Sequence, residues 1–310
     1  MNFRPFGRTT SMVSRLGFGG WQLGNSALWT EMTEEEGVTL VKKAIEKGIN
    51  FFDAAPGYSN GLSEIIIGKA IEGIREKVII NTKFGHSVTG EINFSEDAIE
   101  PAIMDSLKRL KTTYLDSLIL HNPDIDILSN KTNHFKVLKE MKAKGLIRAY
   151  GVSIDTYDQF KTVLEKTDCD VIEILFNVFF QAPAQLFSFA KAKKITLIAK
   201  VPLDSGWLTG KFDSSSTFTG IRDRWSKEAI IKRSIMVEKL KKLTSDNDIT
   251  KYSLAFLYSF DAITTVIPGM SSIKQLEQNI SYLDYELPYH MKQTMIELYN
   301  TQIKNNPLPW

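Results

Sequence analysis

Ile49-Asn50-Phe51-Phe52-Asp53 and Val78-Ile79-Ile80-Asn81-Thr82-Lys83 are short apolar runs that each end on a charged side chain. Runs of this length with β-branched and aromatic content read as buried strands. The pattern returns at Ser117 to Leu120, ending at His121, and at Ala149 to Val152, ending at Ser153. It returns again at Val171 to Leu175, at Ile195 to Ala199 ending at Lys200, and at Ile263 to Ile267. With the run around Arg15 to Phe18, eight strands are predicted. The intervening segments have helical period and identifiable ends. Thr33 followed by Glu36 is a capping box, Val38, Val41, Ala44 and Ile45 line one face, and Gly48 stops that helix. Ser95 opens a second helix with Ile99, Ile103, Leu107 and Leu110 inside, and Phe135, Leu138 and Met141 mark a third that Gly145 closes. Strands alternating with helices imply parallel pairing, and eight such units predict a closed (β/α)₈ barrel, an α/β TIM-barrel fold.

The rest of the chain fits one such domain over residues 1–310, with no repeat and no linker that divides it. Residues 2–14 predict a hairpin able to plug one end of the barrel. The stretch Asp204 to Ser226, with three consecutive serines, is too long for a routine connection and predicts a long active-site loop acting as a lid. Lys and Arg total 38 against 36 Asp and Glu, a balance that argues against a nucleic-acid or acidic-membrane binder. The single Cys169, the absence of an apolar leader and the lack of any long apolar run lead us to expect a cytoplasmic protein with no membrane span. The four histidines, His86, His121, His134 and His290, have no metal-ligand spacing, so no metal site is expected. We expect His134 and His290 on the surface.

In a parallel barrel the strand ends share one rim, where such folds carry their chemistry. Asp53, Lys83, His121, Ser153 and Lys200 therefore converge. A lysine at a buried strand end requires a partner. Asp53 and Lys83 are either a proton-handling pair or a plain barrel-end ion pair, and position alone leaves both readings open.

The loop that follows favours the first reading. Phe51-Phe52-Asp53-Ala54-Ala55-Pro56-Gly57-Tyr58-Ser59-Asn60-Gly61-Leu62-Ser63-Glu64 resembles the signature loop of the aldo-keto reductases, bacterial NAD(P)-dependent members included. Asn81-Thr82-Lys83-Phe84-Gly85 is similar to the family's lysine strand, and Leu120-His121-Asn122-Pro123-Asp124 to its histidine strand. Gly151-Val152-Ser153, the segment from Val201-Pro202-Leu203 through Gly206-Trp207-Leu208-Thr209-Gly210-Lys211, and Ile267-Pro268-Gly269 through Gln275 and Asn279 resemble its cofactor-binding stretches in the same order.

The resemblance implies four catalytic positions, Asp53, Tyr58, Lys83 and His121. Tyr58 would be the general acid, Lys83 would lower the Tyr58 pKa from its ordinary value of about 10, Asp53 would hold Lys83, and His121 would orient the carbonyl. It also implies a nicotinamide cofactor, NADP(H) favoured and NAD(H) possible. Gly20, Trp21, Asp53, Ser153, Glu173 and Lys200 would surround the nicotinamide. Pro202, Leu203, Ser205, Gly206, Leu208, Gly210 and Lys211 would take the pyrophosphate, and Gly269, Ser271, Gln275 and Asn279 the adenosine. Three residues depart from the family pattern: Ile154 replaces the common Asn, Glu173 the common Gln, and Lys200 an aromatic. No Arg follows Gly269, where Met270-Ser271-Ser272 stand and Lys274 is the nearest cation.

The implied function is oxidoreduction between a small carbonyl compound (aldehyde, ketone or sugar) and its alcohol. The alternative is a cofactor-binding regulatory subunit of the same fold with little turnover. Gly206 to Lys211 is one residue short of a phosphate-binding Walker loop and lacks its Ser/Thr. Trp21 reads as a pocket wall, Phe176, Phe179, Phe180, Phe187 and Phe189 as core and helix-packing residues, and Trp310 as either a frayed end or an aromatic turned towards the substrate mouth. Neither the substrate nor the oligomeric state is legible.

Overall fold

The chain is described by a computed structural model covering residues 1–25, 31–244 and 248–309. Trp310 lies outside the described residues. A hairpin of β1 (Phe3–Pro5) and β2 (Met12–Ser14) precedes eight strands of one parallel sheet. These are β3 (Phe18–Gly19), β4 (Phe51–Asp53), β5 (Ile79–Phe84), β6 (Leu115–His121), β7 (Ile147–Ile154), β8 (Val171–Leu175), β9 (Thr196–Lys200) and β10 (Ile263–Val266). Neighbours in sequence are neighbours in space, from β3 through to β10. The first and last strands then meet: the Gly17 amide donates to the Val266 carbonyl at 2.8 Å, and the Gly19 amide to the Pro268 carbonyl at 3.1 Å. The result is the expected (β/α)₈ barrel.

The two-residue period of a strand divides the side chains between two cores. Phe52, Ile80, Leu118, Leu120, Val152, Ile172 and Leu197 point outward into the large core between sheet and helices. Phe51, Ile79, Ile119, Ala149, Val171 and Ile198 fill the barrel, and the hairpin closes its lower end with Phe6 and Val13 in that same cluster. Two residues beyond Phe51, Ile79, Ile119, Val171 and Ile198 stand Asp53, Asn81, His121, Glu173 and Lys200, all polar. This change of character along one face builds the site.

Helix starts follow the local chemistry. At α1 (Glu34–Glu46) the Thr33 hydroxyl accepts from the Glu36 amide at 3.2 Å, and the Glu36 carboxylate accepts from the Thr33 amide at 2.7 Å. The α2 helix (Leu62–Ala70) is pinned by Ser63, whose hydroxyl donates to the Gly20 carbonyl at 2.8 Å, and by the fully buried Glu64. Glu64 accepts from Thr82 Oγ1 and from Arg109 Nε, both at 2.6 Å, the latter in α3 (Ile99–Arg109). The Ser-Glu pair after the Tyr58 loop is thus scaffold: it fixes that loop against two strands and a helix.

The long segment after β9 is folded back on an aromatic cluster of Trp207, Phe212, Phe218 and Trp225, with ring centroids 4.9 to 5.8 Å apart. Its root is tied by a fully buried ion pair, Arg233 Nε to Asp204 Oδ2 at 3.0 Å. Two expectations are corrected. His134 is buried, bonded through its ring nitrogens to Thr132 and to the Phe94 carbonyl, because the 94–95 turn lies across the start of its helix. Phe189 is exposed beneath the Lys193 ammonium instead of packing in the core. His290 is exposed as expected. Among the described residues no helix is long and apolar enough to cross a membrane.

Candidate active site

Strand register brings the polar residues together. Asp53 pairs with Asn81 in register, His121 with Ser153, and Ser153 with Glu173, so side chains from five adjacent strands face one another above the apolar plug. Lys83 Nζ donates to both Asp53 carboxylate oxygens at 2.6 Å and to the Ala54 carbonyl at 3.1 Å. Asn81 donates to Asp53 Oδ1 at 2.7 Å, and Ser117 donates to Asn81 at 2.6 Å. This chain of bonds fixes the ammonium from below. Above it lies Tyr58, whose ring centroid is 4.9 Å from Lys83 Nζ.

Tyr58 sits in a tight loop in which Ser59 and Asn60 take left-handed backbone angles. Trp21 stacks on one side of its ring at 6.0 Å, and His121 meets it edge-on at 6.1 Å. His86 stacks on His121 at 4.5 Å, so the two imidazoles and two aromatic rings wall one end of a cavity of about 830 Å³. That volume lies within the range of small-molecule and cofactor sites.

Burial sets the ionisation of these groups. It pushes the Tyr58 phenol above its ordinary value, and the Lys83 ammonium opposes this without overcoming it. Lys83 thus acts in the expected direction, but burial outweighs it and the net shift of the Tyr58 phenol is upward. Burial lowers the Lys83 ammonium, but Asp53 and Glu173 outweigh it and hold it above the usual lysine value. His121 is held well below its ordinary value by burial and by Lys83, Lys200 and His86, and stays neutral.

The expected residues Trp21, Asp53, Tyr58, His121, Glu173 and Lys200 line this cavity, together with Pro202, Leu203, Ser205, Gly206 and Lys211 and with Gly269, Ser271, Gln275 and Asn279. Lys83 lies behind the wall, and Ser153 is buried beneath it, joining Glu173 and Lys200. Gly20, Leu208 and Gly210 do not face the cavity. Gly20 packs so closely on β4 that a Cβ there would stand 2.6 Å from the Asp53 carbonyl, Leu208 is fully buried in the core, and Gly210 turns the chain with a left-handed backbone against the Lys241 and Ile249 side chains.

Several lining residues escaped the sequence. Asn122 and Asp155 hold Lys200, with Nζ at 3.2 Å from Asn122 Oδ1 and 2.9 Å from Asp155 Oδ1. Arg222 and Arg224 reach the cavity from the long loop, where Arg222 Nε donates to the Ser205 carbonyl at 2.8 Å. Val201, just past Lys200, takes a left-handed φ of 52°, a strained state for a β-branched residue, and the buried Asn177 holds its carbonyl at 3.0 Å. Asn122 stood in the sequence as a neighbour of His121; nothing in the loop's composition marked the two arginines.

The loop's root is packed and its outer part exposed, so its response to ligand should be uneven. Amide hydrogen exchange across 204–226 is expected to slow when a nicotinamide dinucleotide is added, most from Lys211 to Arg222. Equal protection with and without dinucleotide would contradict a role as lid.

Comparison with known proteins agrees with this architecture. The model of the aldo/keto reductase family matches residues 15–300. The holo form of the aldo-keto reductase AKR11C1 from Bacillus halodurans superposes with a TM-score of 0.81 at 26% identity, covering 96% of each chain. The aldo-keto reductase YhdN of Bacillus subtilis is 33% identical over 226 residues, 71% of this chain and 67% of that protein. The NADH-specific methylglyoxal reductase of Escherichia coli is 26% identical over 305 residues, 91% of this chain and 94% of that protein. The match along nearly the whole barrel, over strands that carry Asp53, Lys83 and His121 and the loop that carries Tyr58 to one rim, means that this chain belongs to the aldo/keto reductase family of nicotinamide-dependent oxidoreductases.

Proposed function

We propose that the protein interconverts a small aldehyde, ketone or sugar and its alcohol with NAD(P)(H), and that Tyr58 is the general acid and base. The observation that carries this reading is the convergence of Tyr58 and a neutral His121 on one cavity wall, with Lys83 clamped behind the phenol by Asp53. A bound reduced nicotinamide supplies the hydride. The chain's own residues handle the proton: Tyr58 donates it to the carbonyl oxygen, and the Lys83 ammonium favours the phenolate as charge develops there. His121, being neutral, orients the oxygen through a ring N–H without adding charge. The reaction class is tested by following absorbance of NADPH or NADH with a panel of aldehydes, ketones and sugars. Consumption with at least one is expected, and binding without consumption across the panel would contradict the reading.

The residues present fit such a cofactor. Gln22 Oε1 and His121 Nδ1 are buried at the cavity wall without hydrogen-bond partners, which is costly unless a ligand supplies them. Lys211, Arg222 and Arg224 place positive charge along that wall, suited to a pyrophosphate. We favour NADP(H), with modest discrimination against NAD(H). Ser271 already donates through its amide and hydroxyl to Gln275 Oε1, at 2.9 and 3.3 Å, and the exposed Lys274 is not on the cavity wall. Ser271→Arg is expected to shift the ratio of NADH to NADPH dissociation constants by about 10- to 100-fold towards NADPH, the effect of one added charge-assisted bond. An unchanged ratio in a fluorescence titration would place the 2′-phosphate elsewhere.

A further inference from the structure

We propose that Asp53 and Glu173 share one proton beside Lys83, and that Glu173 is thereby a positioning residue that sets the pH dependence of proton donation by Tyr58. The second half rests on Tyr58 being the acid; the first does not. Glu173 is the inward residue of β8 and is 2% exposed. Its Oε1 accepts from Ser153 Oγ at 2.9 Å, while Oε2 lies 3.4 Å from Lys83 Nζ with no hydrogen-bond partner. The same Nζ already donates to both oxygens of Asp53. One ammonium thus faces two buried carboxylates, Asp53 at 2.6 Å and Glu173 at 3.4 Å from the same Nζ. Two like charges so placed do not both ionise freely; against its burial, the charges of Lys83 and Lys200 hold the Glu173 carboxyl below its ordinary value, so the proton the pair keeps resides chiefly on Asp53.

Among the other charged groups around the pair, Lys200 adds positive charge that lowers the Glu173 carboxyl, but it is itself engaged elsewhere. Lys200, from β9, donates to Ser153 at 2.8 Å and is paired with Asp155 at the end of β7. His121, from β6, is neutral, His86 beyond it is also held below its ordinary value by burial, and Tyr58 is protonated. Burial and the charge of Glu173 push the Asp53 carboxyl up to about 7, against the pull of Lys83. With the shared proton in place the cluster of Asp53, Glu173 and Lys83 is neutral. When that proton leaves to solvent, the cluster carries one negative charge next to Tyr58, which opposes phenolate formation as Tyr58 gives up its own proton.

Glu173→Gln keeps an acceptor for Ser153 and removes one of the two negative charges, so Asp53 alone balances Lys83 and no shared proton remains to be lost. The sign for stability follows from linkage. The folded pair binds more protons than the unfolded carboxyls, so its contribution is full at low pH and is lost as pH rises to about 7. Thermal unfolding without cofactor should therefore show the variant gaining on the wild type by about 3 °C more at pH 8.5 than at pH 5. In the wild type, the infrared band of a protonated carboxyl group should persist at pH 6 and disappear by pH 8.5. A stability difference independent of pH, or no such band, overturns the shared proton. In turnover, the wild-type kcat for carbonyl reduction should fall about tenfold as pH rises from 6 to 8.5, while Glu173→Gln stays flat; parallel profiles overturn the coupling to Tyr58. If no carbonyl is reduced at all, the functional reading fails, and the unfolding and infrared measurements still decide the proton.

Discussion

Lys83→Met is expected to lose both stability and turnover. The ammonium it removes is fully buried and touches Asp53 at 2.6 Å and Glu173 at 3.4 Å, so the variant leaves two carboxyl groups inside the barrel with no counterion. Breaking a buried ion pair in this way costs about 3–5 kcal/mol. The loss should depend on pH with a definite sign. Without Lys83 both carboxyls are raised further, and a raised folded-state value gives stability that is present at low pH and lost as pH climbs. Urea unfolding should thus show a smaller deficit at pH 5 than at pH 8. Turnover of whatever protein folds should fall ~10²-fold or more, because nothing then favours the phenolate of Tyr58 against its burial. A variant as stable as the wild type at pH 8 would mean that Lys83 is not the counterion of this site.

The barrel was legible because the strands announce themselves by short apolar runs, several of which end on a charged residue. Asp53, Lys83, His121 and Lys200 needed no more than the rule that parallel strand ends share a rim. The long loop was legible as an insertion but not as a structure: Trp207, Phe212, Phe218 and Trp225 have no regular spacing, so nothing in the sequence says that they pack on each other. Arg222 and Arg224 were missed for the same reason. Gly20, Leu208 and Gly210 stood among cofactor residues by proximity to ones that face the cavity, yet they are occupied with close packing, core and a turn. Lys83 was legible as the charge that lowers the Tyr58 phenol, but a sequence does not show how much water is missing, and burial outweighs that charge. His134 was placed on the surface by its polarity, and the Phe94 carbonyl that buries it is far away in sequence.

Tyr58→Phe is expected to separate binding from chemistry. The ring and its contacts with Trp21 and His121 remain, so the cavity wall is unchanged and cofactor affinity should move by less than about twofold. The hydroxyl is needed chiefly as charge develops on the carbonyl oxygen, and its loss should cost the 10²–10⁴-fold characteristic of general acid catalysis. His121 is no substitute, since it is held neutral and far below the value at which it would carry a second proton. Single-turnover kinetics give the most direct measurement: wild type and Tyr58→Phe, each preloaded with reduced nicotinamide and mixed with the best carbonyl substrate in a stopped-flow instrument. The account predicts equal cofactor dissociation constants and a rate of nicotinamide consumption lower by about 10²–10⁴-fold in the variant; equal rates would contradict it.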